Sequence, residues 1–408
     1  MNDRPNLEVA HLLRAHGADF VQAHADHLCG VQRRALRDLA VCRTAALGGH
    51  AQACMGCGEV TSAYNSCRNR HCPKCQAGVR ARWLQRERAW LLPVDYHHVV
   101  FTLPQPLHPL VRGNPAACYG LLFHSAWATL REVASDPRYL GAEVGAVAVL
   151  HTWGQTLSHH PHLHWVVTGG GLACSVDGIG DTPPRWVACR PGFFLPVRIL
   201  SAVFRRHYLA GLCALHARGG LRLGGSVAEL ADAAAFAAWL QPLSACDWVV
   251  HSKPPVHGDA DIVLKYLARY VHRVAIANSR LLDLSKGQVT FTYKDYARGG
   301  QQREMTLTAD EFLRRFVQHL LPRGFVKVRH YGLLSNRGGA EKRTHCRYLL
   351  AVVPLPQEAA AAAAGAGAAA QRCPHCGGEL IVTEVWPRPR AGEAPVAPVG
   401  VAVGVDTS

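Results

Sequence analysis

The stretch HHPHLHWVV, His159 to Val167, sets two histidines two residues apart among bulky apolar neighbours. In a β-strand, successive side chains alternate between faces. His162 and His164 then face one way, and Leu163 packs behind them. Upstream, VGAVAVLHTW (144–153) is apolar and rich in valine, as a buried strand requires. A short polar connection joins the two, so they read as a β-hairpin, which brings His151 alongside His162 and His164. Two imidazoles at this spacing can share one metal ion, and a third ligand is needed to hold it. His151 is the first choice. Gln155, His159 and His160 compete for the place. Taken alone, an H-x-H pair in a strand is better explained as two satisfied core histidines. HHVVFTLP (97–104) predicts a further strand, and WVVHSKPP (248–255) a short one stopped by two prolines. Residues 115–135 read as a helix, and 195–240 as two.

A second cluster, KYLARYVHR, lies at 265–273. The spacing predicts a helix over 259–276. Tyr266 and Tyr270 then sit one turn apart on one face. Val263, Leu267, Val271 and Val274 form the adjoining apolar stripe. Lys265, Arg269 and Arg273 form a cationic ridge on the other flank. The phenols fall where core meets basic surface. By themselves they read as edge residues of a core helix. Together with a metal site they suit one reaction, attack by a phenol on a DNA phosphodiester. A free tyrosine, with pKa near ~10, is a weak nucleophile at neutral pH. A divalent ion polarises the phosphate and aligns the backbone, and Lys265 or Arg269 favours the phenolate. The products are a 5′-phosphotyrosine link and a free 3′-OH. The link conserves the bond energy, so rejoining needs no nucleotide. No GxxxxGK[ST] phosphate loop occurs.

The whole chain frames these clusters. At 408 residues and 49% apolar, it can bury a full core. A formal charge of +15 calls for a polyanionic partner, nucleic acid or an acidic membrane surface. No apolar run reaches the ~18 residues of a membrane span. The opening MNDRPNLEVAHLLRAHG has no apolar signal core, which predicts a cytoplasmic protein, and a DNA partner would make it nucleoid-associated. Fifteen cysteines there should be reduced thiols. Cys118, Cys174, Cys189, Cys213 and Cys246 are scattered and read as small buried hydrophobes.

Six of the other cysteines come in knuckles. Cys54-x-x-Cys57 and Cys72-x-x-Cys75 are spaced to place four thiolates around one zinc ion. Two knuckles together disfavour a redox CxxC. Cys67 and His71, in the same loop, could substitute for a ligand or join a second site. Arg68, Arg70 and Lys74 make a basic loop that a structural zinc could hold against phosphates. The plainer alternative is a zinc knob that stabilises a partner surface. Residues 7–46 precede this loop as two helices with interleaved Arg33, Arg34, Arg37 and Arg43. Further on, TFTYKDY with the SKG turn before it predicts a hairpin. Thr308-x-x-Glu311 predicts a capped helix start. Residues 359–370 are almost only Ala and Gly and read as a linker. Cys373-Pro-His-Cys376 is half a zinc site, with His345 and Cys346 as candidate partners. The Pro- and Val-rich last twenty residues have no core-forming pattern.

Six segments taken together resemble one family. They are SCRNRHCPKCQ (66–76), HVVFTLP (98–104), HTWG (151–154), HPHLHWVV (160–167), KYLARYVHRVAI (265–276) and VRHYGLLSNR (328–337). In this order they resemble the two-tyrosine HUH transposases of bacterial insertion sequences, the family of insertion sequence ninety-one. The resemblance spans residues 7 to 350. It implies an α+β chain with an N-terminal helical and zinc-binding region (1–92) and an HUH endonuclease domain (93–356) with a central antiparallel sheet and flanking helices. Residues 357–408 fall outside it. It implies nicking and joining of single-stranded DNA at insertion-sequence ends and in target DNA, by rolling-circle-like transposition. By position, His162 and His164 match the HUH histidines, and Tyr266 and Tyr270 the paired nucleophiles. The implied cofactors are Mg or Mn at the histidines and Zn at the cysteines. The resemblance supplies no third metal ligand, so His151 rests on the hairpin alone. Eukaryotic relatives carry a helicase, against which the missing phosphate loop argues. Two other readings stand beside this one. One is a plasmid relaxase or replication initiator with the same chemistry. The other is a non-catalytic zinc-dependent DNA-binding protein, which would bind salt-sensitively and form no covalent product.

Overall fold

The computed structural model describes residues 7–88, 90–173, 184–257, 260–268, 270–271, 273–350 and 372–389. The chain forms two compact units. One comprises Met1–Arg82, His272–Leu320 and Pro356–Ser408; the other, Trp83–Val271 and Leu321–Leu355. This differs from the expected division at 92/93 and 356/357. Residues 272–320 group with the N-terminal segment, and the first crossing falls inside one helix. Arg269, Cys174, the Ala/Gly run and the last nineteen residues lie outside the described residues. No described helix is long and apolar enough to cross a membrane.

The second unit is built on an antiparallel sheet. Its strands are β3 (Tyr96–Thr102), β4 (Glu143–Trp153), β5 (His159–Ala173), β6 (Arg185–Ala188), β7 (Val250–Ser252) and β11 (Val328–Gly332). They run in the order β11-β4-β5-β3-β7, with β6 added to the far end of β5. The alternation read from HHPHLHWVV sorts the two faces. Leu163, Trp165 and Val167 of β5 join Val99 and Phe101 of β3 and Leu150 of β4 in the larger core. That core is closed by α5 (Pro115–Ser135) and α6 (Val197–Ala217), through Tyr119, Leu122, Phe123, Phe204 and Tyr208. The short α4 (His108–Gly113) and α7 (Ala233–Ala245) flank the same side. Trp165 is fully buried, stacked on Trp127 and tilted against Tyr331.

The opposite face is narrower. Val147, Val149 and Val166 meet Val263, Leu264 and Leu267 of α8 (Ala260–Leu267), together with Val271 and Leu334. Sheet face and helix stripe match by period, two against 3.6. α10 (Gly339–Leu349) completes the unit. The tyrosine helix is shorter than the expected 259–276. Past Leu267 the backbone tightens, with Tyr270 N–H donating to Leu267 at 2.9 Å. The Tyr270 carbonyl is held by His151 Nε2 at 2.8 Å rather than by a later turn of helix. Tyr266 is therefore on the helix and Tyr270 on the turn after it.

The first unit pairs α1 (Val9–Ala23) with α2 (Gly30–Ala40), and α1 also packs on α9 (Ala309–Val317). α3 (Gln76–Arg88) contains the division between the units. One sheet is β10-β9-β8, from β8 (Leu281–Ser285), β9 (Gln288–Asp295) and β10 (Gln301–Thr308). Lys286 and Gly287, both at positive φ, turn β8 into β9, where the SKG signal stands. Thr308 caps α9 by accepting from Glu311 N–H at 3.2 Å. The return half of the capping box is not made, because the Glu311 carboxylate pairs with Arg314 and Arg315. The other sheet is β12-β1-β2, from β1 (Gly49–Cys54), β2 (Val60–Tyr64) and β12 (Leu380–Trp386).

Candidate active site and thiolate clusters

β4 and β5 pair so that His151 lies directly opposite His162, and Val149 opposite His164. All three imidazoles fall on the α8 side of the sheet. Their nitrogens come within 4.8 Å of one another, a spacing that can hold a metal ion. His162 Nδ1 donates to the His160 carbonyl at 2.7 Å, which leaves its lone pair on Nε2. That Nε2 lies 3.2 Å from His164 Nε2. Two nitrogens each ~2.1 Å from one ion would be separated by about 3 Å at a right angle, so the pair fits an ion. His151 differs, because its Nε2 donates to the Tyr270 carbonyl. In that tautomer any ligand role falls to Nδ1. His159 and His160 do not join the cluster; His159 Nε2 instead meets the Tyr119 hydroxyl at 2.9 Å.

A fourth histidine, within the predicted strand 97–104 but not among the predicted ligands, completes the arrangement. His98 of β3, only 1% exposed, bridges two groups. Its Nε2 lies 2.9 Å from His164 Nδ1. Its Nδ1 lies 2.8 Å from the Tyr266 hydroxyl. The Tyr270 hydroxyl donates to that of Tyr266 at 3.3 Å. An unbroken polar path thus runs from His162 through His164 and His98 to both phenols. The one sequence signal for His98 was an inward position on a strand that could neighbour the H-x-H strand.

Burial keeps these rings neutral. It lowers His98 to about 3, helped by the charges of Lys253, His251 and His162. Burial lowers His162 to about 4, against the opposing bond to His160. His164 is pushed well below the usual range, by burial first and then by its histidine neighbours. A neutral imidazole is the form that binds metal.

The basic residues read from the sequence separate. Lys265 is exposed on α8, next to Tyr266. Arg273 lies beyond the end of α8 and in the other unit, so it does not share that helix with Lys265. Arg68 is exposed at a positive φ of 53°. Arg70 is half-buried. Lys74 is half-buried and paired with Glu8 at 2.9 Å.

The expected zinc set of Cys54, Cys57, Cys72 and Cys75 is not one set. Cys72 and Cys75 converge with Cys67 and with Cys42, which follows α2. Sulfur separations are 3.5 Å for Cys42–Cys72, 3.6 Å for Cys42–Cys75 and 3.7 Å for Cys67–Cys75. A tetrahedron with Zn–S of ~2.3 Å has edges of about 3.8 Å, so the donors fit zinc. The crowded thiols cannot all keep their protons. Hydrogen bonds from Cys42, Cys67 and Cys72 pull Cys75 far below the ordinary thiol range, while Cys67 and Cys72 are pushed up. Such a set is stabilised by a cation. Cys54 and Cys57 converge instead with Cys373 and Cys376. The suggested partners His345 and Cys346 lie in the other unit, where Cys346 is buried in a small apolar cluster. Of the cysteines read as buried hydrophobes, Cys118 is buried, Cys189 is half-buried, and Cys213 and Cys246 are exposed.

Comparison with known proteins bears on this geometry. A family model described as "Putative transposase" matches residues 145–342. One described as "Transposase zinc-binding domain" matches residues 12–103. The chain is 47% identical over 392 residues to "Putative transposase y4qJ" of Sinorhizobium fredii (strain NBRC 101917 / NGR234), covering 94% of this chain and 96% of that one. It is 29% identical over 314 residues to "Transposase for insertion sequence element IS801" of Pseudomonas savastanoi pv. phaseolicola, covering 72% of this chain and 68% of that one. No solved structure matches.

Proposed function

The chain belongs to the transposase family of insertion sequence ninety-one, with an N-terminal zinc-binding domain, and from that premise we propose that it cuts and rejoins single-stranded DNA through a phosphotyrosine intermediate. The observation that supports this reading most is the pair of phenol oxygens 3.3 Å apart, one of them bonded through His98 to the histidine cluster. The fold is a mixed α+β chain; its antiparallel sheet with inward histidines suits an HUH endonuclease.

His151, His162 and His164 would hold a divalent ion, Mg or Mn. When bound, that ion supplies polarisation of the phosphate oxygens and alignment of the backbone for in-line attack. The residues then divide the work. With its Nε2 lone pair committed, His164 keeps its proton on Nδ1 and donates to His98 Nε2. His98 in turn keeps its proton on Nδ1 and donates to the Tyr266 oxygen. Tyr270 donates to the same oxygen. Two donors stabilise the phenolate and aim its remaining lone pairs outward. Tyr266 gives its hydroxyl proton to solvent, its oxygen attacks phosphorus, the P–O3′ bond breaks, and the 3′ oxygen takes a proton from water. The DNA 5′ phosphate is left on tyrosine. Rejoining reverses the step with a 3′-OH as nucleophile. A second phenol allows a second strand end to be cut while the first is held. Lys265, Arg68, Arg70 and Arg273 are proposed contacts to DNA phosphates, at insertion-sequence ends and in target DNA. Arg269 is a further one and lies outside the described residues.

The reading is tested by mass spectrometry of the product formed with a single-stranded insertion-sequence end and Mn²⁺. A peptide spanning Tyr266 and Tyr270 should carry nucleotide through tyrosine. Nicked DNA with no protein attached would overturn it. His98 is a positioning residue and has its own check. His98→Ala should slow adduct formation by ~10–100-fold, as loss of a residue that orients a metal ligand does. His98→Asn, which keeps a donor near Nδ1, should recover part of that loss. Equal loss in both variants would leave His98 with a packing role alone.

A further inference from the structure

The four sulfurs of Cys54, Cys57, Cys373 and Cys376 converge although the two knuckles lie 316 residues apart from Cys57 to Cys373. Cys54 Sγ lies 3.4 Å from Cys376 Sγ, and Cys57 Sγ 3.7 Å from Cys373 Sγ. These separations match those of the Cys42 cluster. The two knuckles are also folded alike. Gly58 N–H donates to the Cys54 carbonyl at 3.0 Å, and Gly377 N–H to the Cys373 carbonyl at 2.9 Å. Cys54 N–H donates to Glu59 at 2.9 Å, and Cys373 N–H to Gly378 at 2.9 Å. In each, a glycine N–H points at a sulfur, Gly56 at Cys54 (3.3 Å) and Gly378 at Cys376 (3.4 Å). N–H groups aimed at sulfur favour the thiolate. The glycines are needed for space. A Cβ on Gly378 would meet Cys54 Sγ at 3.0 Å, and one on Gly56 would meet Cys376 Sγ at 3.3 Å.

We infer that this chain holds a second structural zinc ion, closed by the C-terminal knuckle, and that this ion fastens residues 372–389 to β1. The site goes beyond the zinc-binding match at 12–103, which contains only half of its ligands. It does not rest on the nuclease reading. β12 shows why an ion is needed. It pairs with β1 from Gly49–Trp386 to Cys54–Leu380. Yet Val382 and Val385 are 55% and 69% exposed, and in β12 only Trp386 is buried. One ladder and one buried ring give the strand little apolar anchorage. The ion supplies the rest. As it binds, four thiols release their protons to solvent and form four Zn–S bonds, with no change of oxidation state.

The test is zinc content of the full-length protein purified under reducing conditions. Two zinc ions per chain are expected, and one in the Cys373→Ser, Cys376→Ser double variant. Cys376→His, which keeps a ligand of a kind zinc accepts, should retain two. Trypsin should cut after Arg372 faster in the double serine variant than in the unaltered chain. One zinc in the unaltered chain, unchanged by the serine substitutions, would overturn the inference. So would a Cys54–Cys376 disulfide found in protein kept reduced throughout purification.

Discussion

With Tyr266 and Tyr270 both changed to phenylalanine, no covalent adduct with a single-stranded insertion-sequence end is expected. Cleavage should fall by at least ~10⁴-fold, the scale seen when a nucleophile is removed outright. The rings themselves are retained. Tyr266 packs against the Val263–Leu267 cluster, and phenylalanine fills the same space. Only hydroxyls are lost, leaving His98 Nδ1 without its phenol partner. That costs about 1 kcal/mol of stability, so the thermal transition should barely move. Denaturing gels with end-labelled DNA measure the adduct, and calorimetry the transition. Adduct formation at the unaltered rate in the double variant would end the phosphotyrosine reading. The single variants separate the two roles. Tyr266 accepts from both His98 and Tyr270, so Tyr266→Phe should stop the first cut, and Tyr270→Phe should slow the first cut less.

The second large effect concerns Cys72, which is 2% exposed in the cluster with Cys42, Cys67 and Cys75. Cys72→Ala should abolish zinc at that site and unfold the segment around it. Structural zinc sites contribute on the order of 10–16 kcal/mol of apparent binding free energy near neutral pH. The net stability of a whole domain is ~5–15 kcal/mol. No nearby contact offsets a loss of that size. The measurements are zinc content and far-ultraviolet circular dichroism during heating. A variant with full zinc and an unchanged transition would show that Cys72 is not a ligand. Chelation of the unaltered protein should give the same spectrum as the substitution.

Much of the second unit was legible because its patterns are local. HLHWVV alternates, and the alternation alone sends His162 and His164 to one face and Trp165 to the other. The short hairpin loop puts His151 opposite His162. His98 was not legible in this way. Its place beside His164 depends on β3 lying against β5, a pairing between distant parts of the chain. Nor was the end of α8, since the helical period continues to Val274 in sequence. Beyond its end the Tyr270 carbonyl accepts from a histidine on another element, a contact the sequence period does not show. The cysteines fail for a related reason. CxxC spacing specifies a knuckle, but not which knuckle faces it. Neighbours in sequence were paired, whereas the chain pairs Cys54 and Cys57 with a knuckle from its far end. Cys42, with no CxxC partner, carried no signal at all.

The separation of those two knuckles has a meaning in the order of synthesis. The Cys42 cluster is complete once Cys75 has left the ribosome. Cys54 and Cys57 must wait for another 316 residues to reach Cys373. At ~5–20 residues per second that is roughly 16–63 s of translation. During this interval two thiols stand ready with no partners, while everything between them is made. A chain broken off before Cys373 never fills that place. Zinc there would mark a chain translated as far as Cys376, and a transposase broken off earlier would carry a pair of bare sulfurs.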